Sequence, residues 1–377
     1  MMFILNGTVF LNGKLEKKDI RVEAGKFTEI AEAGELCVGE LCLEEEVLDA
    51  AGKYIIPGLV DVHTHGRSGK DFSKITGEDL PVLLESYARC GVTSVVGTTM
   101  TNDPQMVEAS LRIMGEYRGD HLLGIHMEGP FLGTGKKGAH DANYLELPDW
   151  SRFEKMRKIS GGIVRLVTLD PGLDGAEEFI KECVKNGIKV SLGHTDCTYE
   201  TAVKARQWGA DHVTHVFNGM GPLHHREPGV IGAAMDTGMY TELICDGIHV
   251  HPAVVRLLFA AHPEQMVLIS DSVSPAGMPD GEYESGGLTV VVKDGKAVLP
   301  DGTIAGSVIS LFDAMTNAIR FGVPAEQAIN SATYLPAKSV GAEQIAGSIA
   351  VGRKAEFLVV DREWNLEKVF MVRTTQI

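Results

Sequence analysis

Apolar residues recur at helical spacing across residues 78–90, where Leu80, Leu83, Leu84, Tyr87 and Ala88 share one face and Gly91 follows as a stop. Runs of the same kind cover 105–117, 176–186, 199–208 and 252–261. Between them lie short β-rich runs ending near His65, Met100, Glu128, Leu169, His194, Phe217, His249 and Asp271. Eight strand-then-helix units predict a (β/α)8 barrel, closed by two further helices over 308–321 and 324–339. After the eighth strand, 288–292 and 297–299 flank Asp294-Gly295 and predict a hairpin over or beside the barrel mouth.

The two ends follow a different rhythm. Phe3-Ile4-Leu5, Val9-Phe10-Leu11 and Ile20-Arg21-Val22 are followed by Asn6-Gly7, Asn12-Gly13 and Ala24-Gly25, which is hairpin chemistry. Residues 355–361 and 368–372 are strand-like as well. Together they predict one small β-sandwich domain assembled from both termini: 1–53 and 346–377 around a barrel of 54–345.

Bulk properties narrow the function. The chain has 377 residues, 44% of them hydrophobic, enough for one large domain with a small one appended. A net charge of −16 argues against nucleic acid or an anionic membrane face as partner. The start carries no basic region before its short apolar run, and no apolar stretch approaches bilayer length. Cysteines at 37, 42, 90, 183, 197 and 245 form no Cys-x-x-Cys pair and read as free thiols in a reducing, cytoplasmic compartment.

The chemistry gathers at the predicted strand ends. Asp61, His63, His65, Glu128, His194, His215, His249 and Asp271 are imidazoles and carboxylates, the groups that hold a hydrolytic transition metal. His63 and His65 lie two apart in an extended run, so both rings can face one ion, or they are a satisfied polar pair in a turn. Asp61, in phase with them, is either an orienting partner for an imidazole or a core-capping acid. Glu128 stands in the apolar run Ile125-His126-Met127-Glu128, costly to bury without a positive partner; in-phase His126 reads as a supporting or core residue. His194 and His215 with Glu128 make a three-ligand site with open positions. Asp271 can accept a proton from an activated water and return it to a leaving amine, or serve as ligand or helix cap. Arg226 suits a phosphate or forms a surface pair with Glu227, and Asn218-Gly219 upstream offers backbone donors.

The segments Pro57-Gly58-Leu59-Val60-Asp61-Val62-His63-Thr64-His65, His126-Met127-Glu128-Gly129-Pro130, Lys136-Lys137-Gly138-Ala139-His140, Gly193-His194-Thr195, Thr214-His215-Val216-Phe217-Asn218, Arg226-Glu227-Pro228-Gly229, Asp246-Gly247-Ile248-His249 and Ser270-Asp271 resemble the amidohydrolase superfamily. Within it they resemble the N-acetylglucosamine-6-phosphate deacetylases. The resemblance implies that Glu128, His194 and His215 hold the main divalent ion. It further implies that His63 and His65 hold a second, giving one or two ions of zinc, iron, manganese or cobalt. Asp271 is then a ligand and the general base and acid. His140 contacts the sugar or the amide carbonyl, and Asn218, Gly219, Arg226 and His249 bind the sugar phosphate. The implied reaction is removal of the N-acetyl group of N-acetylglucosamine 6-phosphate by a metal-activated hydroxide, in a homodimer. The same motifs suit the galactosamine epimer, and another amidohydrolase on a different amide is the broader alternative.

Overall fold

The computed structural model describes residues 1–36 and 46–372. Cys37 and Cys42, read above as free thiols, and the last five residues of the expected C-terminal segment lie outside the described residues; Cys90, Cys183, Cys197 and Cys245 are free. No helix of the described chain is long and apolar enough to cross a membrane.

Eight parallel strands follow one another around a barrel: β1 (Leu59–Thr64), β2 (Val92–Thr99), β3 (Leu122–Glu128), β4 (Val164–Leu169), β5 (Lys189–Leu192), β6 (His212–Val213), β7 (Tyr240–Ile244) and β8 (Met266–Ile269). Sequence neighbours are ladder neighbours throughout, as right-handed strand–helix–strand crossovers require. The ladder is open between β8 and β1, and side chain and loop complete the ring. Asp271 N–H donates to the His63 carbonyl at 2.9 Å, and the Asp61 carboxylate accepts from Ser270 Oγ at 2.6 Å. Asp61 is therefore the core acid that ties the first strand to the last. Burial pushes its carboxyl up to about 7, against hydrogen bonds from Ser270 and His63 that favour the charge.

Three strands that lead to predicted site residues stop sooner than their composition suggests. β5, β6 and β8 end at Leu192, Val213 and Ile269, and His194, His215 and Asp271 follow with φ of 49°, 27° and 46°. Left-handed backbone breaks the ladder and turns each side chain toward the barrel mouth. β7 ends at Ile244, so His249 sits in the loop beyond it rather than at a strand end. The helix expected over 324–339 is two, Ala325–Ala332 and Tyr334–Ser339. Pro336 has no N–H, and its ring crowds the carbonyl four residues back, so the first helix cannot run on. Helices Trp150–Ile159 and Gly229–Thr237 complete the set that the periodicity left open.

The termini build a second sheet of seven strands in the order Leu366–Phe370, Phe357–Val360, Tyr54–Pro57, Met2–Leu11, Lys14–Glu23, Lys26–Glu32, with Glu46–Asp49 beside Met2–Leu11. It has its own core of Ile4, Val9, Ile20, Phe27, Ile55 and Phe357, matching a small sandwich domain. The pairing places Tyr54–Pro57 in this sheet, so the chain enters the barrel at Gly58, where a Cβ would lie 2.1 Å from Thr93 Oγ1. Asn12-Gly13 and Ala24-Gly25 turn hairpins with positive φ at both residues. Asn6-Gly7 does not turn the chain. Met2–Leu11 runs through it as one strand with a register shift at that point, and Asn6 N–H donates to Asp19 Oδ1 at 2.8 Å. The expected hairpin after β8 is present as Leu288–Lys293 and Lys296–Val298, with Gly281–Ser285 as a third strand.

Candidate metal centre

Five imidazoles arrive at the mouth of the barrel with their Nε2 atoms on two carboxylates. Glu128, at the end of β3, has Oε1 3.0 Å from His215, 3.1 Å from His194 and 3.5 Å from His63. Its Oε2 lies 3.2 Å from both His65 and His140. Asp271 Oδ1 lies 3.2 Å from His65 and 3.6 Å from His63. All seven side chains are buried or nearly so.

The other ring nitrogen decides what each imidazole offers. His194 Nδ1 lies 2.7 Å from the Lys136 carbonyl and His215 Nδ1 3.1 Å from the Asn218 carbonyl. His63 Nδ1 lies 2.8 Å from Glu242 Oε2. Carbonyls and carboxylates only accept, so each of these three rings carries a proton on Nδ1 and leaves Nε2 as the atom that can take a second proton or a metal ion. Each Nε2 faces a Glu128 oxygen at 3.0–3.5 Å, and with no metal present the carboxylates, against burial, favour a second proton on His63 and His215. The donor set is the one divalent transition metals favour. Glu128 with His194 and His215 forms one group; His63, His65 and Glu128 form another, joined by the shared carboxylate.

His140 differs. Its Nδ1 accepts the Thr101 backbone N–H at 3.2 Å, so the proton is on Nε2 and the ring points a donor into the site. Burial, outweighing the nearby Glu128, pulls its pKa down to about 4, so at neutral pH it is an uncharged N–H. For Asp271, burial would raise the pKa, but the hydrogen bond from His65 and the charges of His63, His65 and His215 hold it at about 2. Glu128 is likewise held well below the carboxylate range against its burial, chiefly by His63.

These groups open into a cavity of about 280 Å³. Gly138, Asn218, Gly219 and His249 line it with the apolar Met100, Val273, Ile304 and Ala305. His249 is fixed by Asp246, whose Oδ2 lies 2.6 Å from Nδ1 and whose Oδ1 accepts the backbone N–H groups of Ile248 and His249. Gly219 has φ of 59°, and a Cβ there would stand 3.1 Å from His194 Nδ1, so anything larger at this position crowds that ring. Arg226 is the one predicted site residue outside the group. It is exposed, with Nη1 2.7 Å from His225 Nε2, and does not line the cavity.

Residues 54–376 match the model of the amidohydrolase family. The chain belongs to the amidohydrolase family. It is 34% identical over 330 residues to N-acetylglucosamine-6-phosphate deacetylase of Bacillus subtilis (strain 168), covering 85% of this chain and 83% of that one. To N-acetylgalactosamine-6-phosphate deacetylase of Escherichia coli O157:H7 it is 32% identical over 332 residues, 86% and 88% of the two chains. The crystal structure of N-acetyl-D-glucosamine-6-phosphate deacetylase from Mycobacterium smegmatis superposes with a TM-score of 0.91 at 29% identity, over 98% of each chain. This amidohydrolase is thus a metal-dependent hydrolase with buried imidazole and carboxylate groups able to bind a divalent ion.

Several members of the site carried no clear signal in the sequence. The carbonyls of Lys136 and Asn218 and the N–H of Thr101 are backbone groups, and any residue type supplies them. Of the two readings of Asp61, orienting partner or core acid, the structure supports the second: it accepts from the His63 backbone N–H and Ser270 Oγ, and Glu242 holds the His63 ring. Glu242 had a signal comparable to that of Glu128: a lone carboxylate in the apolar strand Tyr240–Ile244. His126 lies beneath the site, its ring centroid 4.6 Å from that of His63 and its Nε2 2.8 Å from Thr168 Oγ1. Burial holds it well below the usual imidazole pKa and therefore neutral.

Proposed function

We propose that this amidohydrolase removes the acetyl group of N-acetylglucosamine 6-phosphate, yielding glucosamine 6-phosphate and acetate. The observation that carries the reading is the set of imidazole Nε2 atoms converging on Glu128, beside one neutral imidazole N–H, in a cavity also lined by Asn218, Gly219 and His249. Glu128, His194 and His215 would hold one divalent ion, and His63 and His65, sharing Glu128, a second; zinc, iron, manganese and cobalt all suit these donors. An ion so held supplies Lewis acidity and lowers the pKa of water into the neutral range.

The protein's own groups do the rest. Asp271, ionised at neutral pH, takes a proton from the attacking water and returns it to the departing amine. His140 Nε2–H donates to the amide oxygen and more strongly to the oxyanion that develops there. Asn218, Gly219 and His249 take the phosphate, so that binding remote from the amide positions the acyl carbon. Arg226, exposed on its loop, joins the phosphate of its own or a neighbouring protomer, in keeping with a homodimer. Free buried thiols suit a cytoplasmic enzyme.

The test is acetate release by the metal-loaded protein from N-acetylglucosamine 6-phosphate, its galactosamine epimer and the unphosphorylated sugar. A strong preference for the first supports the assignment. Equal or faster turnover of the epimer transfers it to the galactosamine series, to whose enzyme the chain is nearly as similar. Silence on all three overturns it.

A further inference from the structure

Glu242 sits on β7 with its side chain wholly removed from solvent. A carboxylate there is expensive unless its charge is used. Its Oε2 accepts two N–H groups, His63 Nδ1 at 2.8 Å and the His215 backbone at 3.3 Å. One oxygen therefore touches a member of each ligand group. Its Oε1 has no hydrogen-bond partner among the described residues, so no other donor competes for the charge.

The two ligand groups are anchored unequally. His194 and His215 each rest on a neutral backbone carbonyl. His63 alone of the five imidazoles rests on a carboxylate, which raises the basicity of its Nε2 as well as fixing its tautomer. His65 offers the second group no such support, since its buried Nδ1 has no partner among the described residues. Orientation and donor strength at the His63–His65 pair thus hang on the single bond to Glu242.

We infer that Glu242 is a positioning residue that sets how tightly the His63–His65 group holds its ion, and thereby whether the enzyme works with two ions or one. The inference rests on the two-ion arrangement proposed above. Glu242→Gln keeps the shape and an acceptor oxygen and removes the charge. Metal content after equilibrium dialysis against graded free zinc, with Co(II) absorption as a second readout, should show two ions in the unaltered enzyme. In the variant the first ion should bind as before and the second about 10- to 100-fold more weakly. Should Glu242→Gln lose its fold, Glu242→Asp carries the test. With charge kept and the bond to His63 lengthened, it should weaken the second ion more than the first, whose His215 meets the same oxygen only through its backbone. Unchanged affinity for both ions, or parallel loss of both, overturns the inference and leaves the two-ion arrangement standing. An unaltered enzyme that saturates at one ion overturns both.

Discussion

His140 can be read two ways, because its Nε2 lies 3.2 Å from Glu128 Oε2 and with Glu128 and His194 it forms a group tight enough for a metal. The Thr101 N–H decides between them. A backbone amide can only donate, so at 3.2 Å it fixes the imidazole proton on Nε2, and a protonated nitrogen cannot ligate. His140→Asn is the discriminating change. Its Oδ1 stands where Nδ1 stood and still accepts from Thr101, so no buried N–H is left unsatisfied, an omission that would cost about 1–3 kcal/mol. The donor at the Nε2 position is lost. Removing one oxyanion donor in a water-excluded site costs about 3 kcal/mol, or roughly a 10²- to 10³-fold fall in kcat. His140 is only 2% exposed, which places it in that regime rather than the weaker solvated one.

Steady-state acetate release gives kcat and KM, and metal analysis of the same preparation gives stoichiometry. The expected result is the fall in kcat with KM little changed and metal content equal to that of the unaltered enzyme. Loss of an ion in His140→Asn would refute the tautomer argument and make His140 a ligand. An unchanged kcat would refute its role as donor.

Asp271→Asn should lower kcat by about 10²- to 10⁴-fold, the range for removing a general acid or base, with metal content near normal; an active variant would end that assignment. Arg226→Ala should raise KM for the phosphorylated sugar and leave kcat nearly intact, which initial rates over a range of substrate concentrations resolve. Glu356, half-buried where the terminal sheet meets the barrel, has its carboxyl pushed from 4.5 up to about 7 by burial, with Lys354 and Thr93 opposing. The folded chain therefore holds a proton that the unfolded chain releases, and stability is lost as pH rises from about 4.5 through 7. Glu356→Gln should match the unaltered enzyme near pH 4.5 and exceed it at pH 8 by up to about 3 kcal/mol in urea unfolding. Equal stability at both pH values would show that the carboxyl is solvated.

The barrel was legible because its strands and helices differ in period, and the residues gathered at the candidate site because an imidazole or carboxylate in an apolar run is conspicuous. Glu128 among Ile125, Met127 and Phe131 is the clearest case. What the sequence withheld is of two kinds. Backbone donors and acceptors, such as Thr101 N–H and the Lys136 carbonyl, have no residue type to betray them. Pairings across the barrel are set by closure: His63 and Glu242 are 179 positions apart and meet only because β1 and β7 point their side chains into one layer. Asp61, nearer in sequence and in phase, was one candidate partner, and its bond to Ser270 after β8 gives it the other role the sequence allowed, that of a core acid.

The left-handed residues join these two observations. His194, His215 and Asp271 each take a backbone conformation that costs a non-glycine residue about 1–2 kcal/mol, immediately beyond the strand that carries it. A continued strand would keep its side chains alternating across the barrel wall, whereas these three converge on one point. The conformations persist because backbone hydrogen bonds hold both flanks. Gly193 N–H donates to Leu169, Thr195 N–H to Gly219, Val216 N–H to Glu242, and Ser307 N–H to the Asp271 carbonyl. The strain is thus spread across β4, β7 and the segment after β8, so displacing any one of the three must disturb a backbone bond to its neighbour. The carboxylate beneath His63 is part of the same coupling: the oxygen that meets the His63 ring also accepts the backbone N–H at the strained turn of His215.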